Sequence, residues 1–119
     1  MTKDSLLHKA YELFNERNID ELLALMTGNV SWPNGWEGGF VHGHQEVRDY
    51  WTRQWKEIDP VVIPESFTAL DEDRVEVIVQ QTVKDMEGKL LFEGVVKHLY
   101  TFTGDKISSM QIQPEQNAA

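Results

Sequence analysis

The sequence predicts an α+β domain: a strongly curved, cone-shaped antiparallel sheet covered on one face by three helices from the N-terminal half. Three observations predict it. Before position 59 apolar residues recur mainly at three- and four-residue steps, and after position 60 mainly at alternate positions. Strands that follow helices and are joined by short glycine-containing turns pair antiparallel. A length of 119 residues suits one hydrophobic core rather than two. The expected unit is a single domain over residues 1–119, with a core at about 4–112 and a polar tail at 113–119.

Leu6, Leu7, Ala10, Tyr11, Leu13 and Phe14 form one stripe of an amphipathic helix, with Thr2 or Asp4 as its cap. Asn15 to Asn18 break the stripe. Asn18 and Glu21 have capping-box spacing, so a second helix starts there, with Ile19, Leu22, Leu23, Leu25 and Met26 as its apolar side and Gly28 as its C-cap. Val30-Ser31-Trp32 reads as a short strand halted by Pro33, and the Asn34-Gly35 and Gly38-Gly39 pairs as a loop. From His44 the helical period returns through Val47, Tyr50, Trp51, Gln54, Trp55 and Ile58, and Asp59-Pro60 ends it. Strands follow at 61–69, 74–84, 90–102 and 107–112, with a turn at Glu87-Gly88, a bend at Gly94 and a turn at Gly104-Asp105.

Composition excludes several classes of function. Eleven Lys and Arg against twenty Asp and Glu give a net charge of -9, the wrong sign for a nucleic-acid or anionic-membrane surface. The absence of cysteine removes disulfides, thiolate metal sites and a cysteine nucleophile. No apolar run approaches the ~20 residues of a membrane span, and charge enters the first residues too early for a secretion signal, so a cytoplasmic protein is expected. No glycine-rich phosphate loop, G-x-S-x-G or H-E-x-x-H motif occurs.

On the strand 90–102, Phe92, Val96, His98, Tyr100 and Phe102 share one face and Leu91, Val95, Lys97, Leu99 and Thr101 the other. Both faces are largely apolar. One meets the helices, and the other lacks a cover within the chain, which predicts a homodimer packed sheet to sheet. His98 is then either a neutral histidine bonded within the core or a polar group on the wall of an apolar pocket, able to act as acid, base or hydrogen-bond donor. Trp32, Trp36, Trp51 and Trp55 fall on the elements around a pocket mouth, although Trp51 and Trp55 also have core spacing. Tyr50, Val96 and Tyr100 complete the aromatic and apolar lining, and Gln80 and Gln111 are strand amides that could orient a carbonyl or hydroxyl. His42, His44 and Glu46 have the chemistry of metal ligands. His44 also fits a helix cap and Glu46 the first helical turn, so neither metal nor cofactor is expected.

Asn15 to Leu22 resembles the "N-x-x-D-x-D-x-L" link between the first helices of the nuclear transport factor two-like superfamily, which includes ketosteroid isomerase and the SnoaL-like polyketide cyclases. Val30 to Pro33 looks like its first strand, Gly43 to Trp51 like its "G-x-x-x-V-R-x-Y-W" helix, and Lys97 to Met110 like its last hairpin. The resemblance implies a cystatin-like, ketosteroid isomerase-like roll with a cone-shaped cavity. It places Trp32 at the isomerase base, Ala10 at its oxyanion tyrosine and His98 at its oxyanion aspartate, which argues against steroid isomerisation by that route. No Asp lies near Gln111 to stand for the late acid/base residue of the cyclases. The implied function is binding of a small hydrophobic ligand, with isomerase, cyclase or hydratase chemistry at His98; the alternative is a non-catalytic ligand-binding or dimerisation module.

Overall fold

The computed structural model describes residues 2–114, so residues 115–119 of the expected polar tail lie outside the described residues. The elements run α1 (Lys3–Asn15), α2 (Ile19–Leu23), β1 (Met26–Pro33), β2 (Phe40–His42), α3 (Gly43–Glu57), β3 (Ile58–Ala69), β4 (Arg74–Asp85), β5 (Leu90–Thr103) and β6 (Lys106–Pro114). All six strands join one curved sheet in the order β2-β1-β6-β5-β4-β3. The fold is the expected α+β roll, with one difference in pairing: β1 and β6 run parallel, because the chain reaches β1 from the helices and returns to it from the hairpins.

Extra residues in three of the ladders bend the long strands, since an unpaired residue kinks its strand and increases its twist. The ladder skips Glu65 between β3 and β4, Leu91 between β4 and β5, and Ser108 between β5 and β6. Val75, Val77 and Val79 of β4 and Tyr100 and Phe102 of β5 fill the concave face against Leu7, Ala10 and Leu13 of α1. Pro60 and Pro64 are tolerated because β3 is an edge strand. Asn15 blunts that edge: its side-chain amide donates to the Val62 carbonyl at 2.8 Å and accepts the Val62 N–H at 3.0 Å.

The local differences from the sequence reading have physical causes. The second helix ends at Leu23, and Leu25 and Met26 enter β1, so Gly28 lies inside a strand rather than at a helix C-cap. Phe40–His42, read as loop, pairs with Ser31–Pro33 as a short hairpin edge. The third helix starts at Gly43 with His42 as its N-cap. The Glu46 carboxylate accepts the His42 N–H at 2.9 Å, so His44 is not the cap. Ile58, counted with the helix, opens β3. The irregularity in β5 falls at Leu91, not Gly94, whose pairing with Gln81 is regular.

Candidate functional site

A cavity of about 780 Å³ opens between the concave face of the sheet and the helices α1 and α3. Tyr11 and Phe14 of α1, Trp32 of β1, Tyr50, Trp51 and Gln54 of α3, Gln81 of β4, His98 and Tyr100 of β5 and Met110 of β6 are among its walls. Among the described residues, no Asp, Glu, Lys or Arg lines it. A low-dielectric hollow of this kind penalises any charged guest that finds no counter-charge.

At its inner end three side chains form a hydrogen-bonded row. The Tyr100 hydroxyl donates to the Tyr11 oxygen at 2.9 Å, and Tyr11 meets His98 Nδ1 at 2.7 Å. With Tyr100 donating to Tyr11, one arrangement leaves no buried proton unpaired: Tyr11 donates to Nδ1, and the ring carries its proton on Nε2. Among the described residues His98 Nε2 has no protein partner, yet it is not one of the fully enclosed side-chain polar atoms left without one, of which Trp55 Nε1 is the single case. Nε2–H therefore opens on the cavity that His98 lines. Burial pulls the His98 pKa down to about 4, so the ring is neutral near pH 7 and acts as a hydrogen-bond donor rather than a cation. Burial and the neighbouring Tyr100 phenol push the Tyr11 pKa well above the usual range, which disfavours a tyrosinate. The row thus offers a neutral N–H to the cavity and holds its protons on Tyr11 and Tyr100.

A second polar pair sits on α3, where Gln54 Nε2 donates to the Tyr50 hydroxyl at 2.9 Å. Desolvation raises the Tyr50 pKa to about 12, against the opposing pull of the Trp36 and Gly35 backbone N–H groups. At the mouth, Trp36 and Phe40 from the 34–42 segment face Leu91, Phe92 and Ile112, all of them exposed. Leu91 and Phe92 are adjacent in sequence yet both line the opening, because Leu91 is the extra residue of its ladder and is re-aimed by it. Asn34 anchors the loop: its Oδ1 accepts the N–H groups of Trp36 and Glu37 at 3.2 and 2.6 Å, and its amide donates to Glu37. Arg53, 2.9 Å from Glu37, and Asn34 hold that carboxyl below the usual carboxylate range.

Of the residues singled out from sequence, Trp32, Trp36, Tyr50, Trp51, His98, Tyr100 and Gln111 line the cavity. Gln111 does so at an exposed rim, since its register partner Leu99 faces away from His98. Three do not line it. Gln80 lies on the opposite face of β4 between Ile63 and Val95, and its neighbour Gln81 takes the inward position in line with Val77 and Val79. Val96 is packed in the core, and Trp55 stacks on Trp51 at 5.5 Å with the Arg17 guanidinium 4.9 Å from its ring. Tyr11 was not among them. It follows Ala10, the residue that the resemblance puts at the oxyanion tyrosine, and its hydroxyl meets His98 Nδ1. His44 directs Nε2 at the Met26 carbonyl at 3.2 Å, and Glu46 is engaged with His42.

The fold is that of the nuclear transport factor two-like proteins. A protein of that class from Burkholderia pseudomallei, described as of unknown function, superposes with a TM-score of 0.84 at 20% identity, over 97% of this chain and 92% of the other. TerC, co-crystallised with polyporic acid, gives 0.81 at 22% identity over 93% and 89%. A putative polyketide cyclase from Xanthomonas campestris gives 0.75 at 19% identity over 92% and 87%. At these identities the likeness is one of fold. Residues 7–110 match the family model of the SnoaL-like domain, and the chain belongs to that family. No curated protein matches the chain. No helix among the described residues is long and apolar enough to cross a membrane.

Proposed function

We propose that the protein binds a compact hydrophobic organic molecule in this cavity and, through the Nε2–H of His98, polarises a carbonyl or hydroxyl oxygen on it. The reaction class this supports is cyclisation or isomerisation, or hydration with water as co-substrate, without a cofactor. The observation that carries the reading is the Tyr100–Tyr11–His98 row, which supports one tautomer and with it a neutral donor on the sheet wall of an uncharged, largely aromatic cavity. Such a donor, preorganised where negative charge develops on oxygen, lowers a barrier by about 3 kcal/mol. The co-crystallisation of TerC with polyporic acid and the description of the Xanthomonas protein as a putative polyketide cyclase are consistent with an organic ligand in this fold.

A second reading, a binding module without turnover, is favoured by one observation: no carboxylate lines the cavity among the described residues. Tryptophan quenching by candidate ligands, with mass spectrometry of the incubated mixture, separates the two. Product formation that falls at least a hundredfold in His98→Ala supports the first. Binding with no product supports the second, and unchanged kcat/KM in His98→Ala removes the role assigned to that ring.

We also propose that a second copy covers the convex face of the sheet. Val61, Ile63 and Val95 are exposed there around the Lys97–Glu76 ion pair at 3.7 Å. Sedimentation at micromolar concentration tests this, and a species of 13.8 kDa overturns it.

A further inference from the structure

The α3 wall of the cavity holds a polar group that the reading above does not use. Tyr50 is buried, lines the cavity, and accepts a hydrogen bond from Gln54. Its own hydroxyl proton finds no acceptor among the described residues. A buried hydroxyl that accepts without donating leaves a donor unspent, and such donors find partners when a ligand arrives. His98 and Tyr50 stand on different walls, one on the sheet and the other on a helix, with Trp32 packed between Tyr100 at 6.3 Å and Trp51 at 5.6 Å. Beside the glutamine amides of its walls and rim, the hollow therefore presents two neutral donors held in place by hydrogen bonds, His98 and Tyr50, on a lining that carries no charge.

We infer that the ligand is an uncharged molecule with two hydrogen-bond acceptors on an apolar body, one held by His98 and the other by the Tyr50 hydroxyl, which makes Tyr50 a specificity-determining residue. The inference rests on the proposed use of the cavity and His98, and it adds the ligand's charge and its second anchor. Carboxylates are disfavoured twice over: no cation lines the hollow, and the chain's net charge is -9.

The test uses three probes titrated against tryptophan fluorescence in the wild type and in Tyr50→Phe. They are 1,2-dibenzoylethane, with two carbonyls on a flexible linker; 4-phenylbutyrophenone, the same skeleton with one carbonyl; and the anion 4-phenylbutyrate. The expected order in the wild type is diketone above monoketone by about tenfold, one hydrogen bond's worth, and the anion weakest by at least a further tenfold. Tyr50→Phe should abolish the diketone's advantage and leave the monoketone within twofold. A diketone advantage that survives in Tyr50→Phe overturns the second anchor while the cavity reading stands. Equal weakening of both ketones shows a structural role and overturns it likewise, and binding of 4-phenylbutyrate on a par with the ketones overturns the charge selection. Failure of every probe to bind the wild type removes the cavity reading along with this one.

Discussion

The two ends of the cavity are built differently. The inner end is made by regular elements, α1 and β5, and its polar atoms are tied in one row between Tyr100, Tyr11 and His98. The mouth is made by departures from regularity: a glycine-rich loop with Gly38 and Gly39 at φ 95° and 74°, a three-residue strand, and the extra residue Leu91. Apolar side chains are sealed at the inner end and stand in solvent at the mouth. Fixed donors suit the place where charge develops, and loosely packed apolar edges suit the place where a ligand enters. The difference implies that substitutions at the inner end act mainly on stability and chemistry, and those at the mouth mainly on rates of exchange.

The largest expected effect is that of Tyr11→Phe. It removes one oxygen and leaves two buried groups, the Tyr100 hydroxyl and His98 Nδ1, without partners. At about 1–3 kcal/mol for each orphaned group, urea unfolding should show a loss of roughly 4 kcal/mol. A loss below about 1 kcal/mol would mean that the row can repair itself and that the inner end is no more rigid than the mouth.

The pH dependence of stability is the next largest. His98 in the folded state titrates near pH 4, against 6.5 in a free side chain. Between those values the unfolded chain binds the extra proton, so stability is full above about pH 6.5 and falls as pH drops towards 4. The displacement corresponds to about 3 kcal/mol. His98→Gln should flatten the curve over that interval. Glu37 at the mouth, held down by Arg53 and Asn34, adds stability above the ordinary carboxylate value, and that part is lost only as pH falls below it. A curve unaltered by His98→Gln would place the titrating group elsewhere.

The same contrast governs what could be read before any coordinates. The helical stripe of α1 and the alternation of β4 and β5 are strong periodic signals, and all three elements form where the periods predict. The mouth carries no period. Phe40–His42 is too short to alternate, and the start of β1 is obscured by Thr27-Gly28-Asn29, residues that favour turns. At the inner end His98 was legible as a polar group on an apolar face. Tyr11 was hidden as one more member of a core stripe, because its partner lies 87 residues away. One signal existed, a hydroxyl in a stripe bound for burial, which needs a partner once inside. Gln81 was legible too, since it shares its alternation with Val75, Val77 and Val79, whereas Gln80 falls on the other face with Ile63 and Val95.

The smallest expected effect on stability, and the sharpest probe of the mouth, is Gly94→Ala. A Cβ there would stand 3.2 Å from Phe92 Cζ, tighter than ordinary van der Waals contact. The obstructing atom is the far end of a half-exposed side chain, so the ring can swing away at little cost. Alanine also has less freedom to lose on folding than glycine, a gain of about 0.4–1 kcal/mol where the backbone permits it. The two terms offset, and thermal unfolding should change by less than about 0.5 kcal/mol. The displaced Phe92 ring no longer lies along β5 at the rim. Stopped-flow quenching with 4-phenylbutyrophenone should therefore show association and dissociation both faster by a few-fold, with Kd nearly unchanged. A change in Kd with no change in association rate would assign Phe92 to the binding surface rather than the entrance, and the two ends of the cavity would then differ in burial alone.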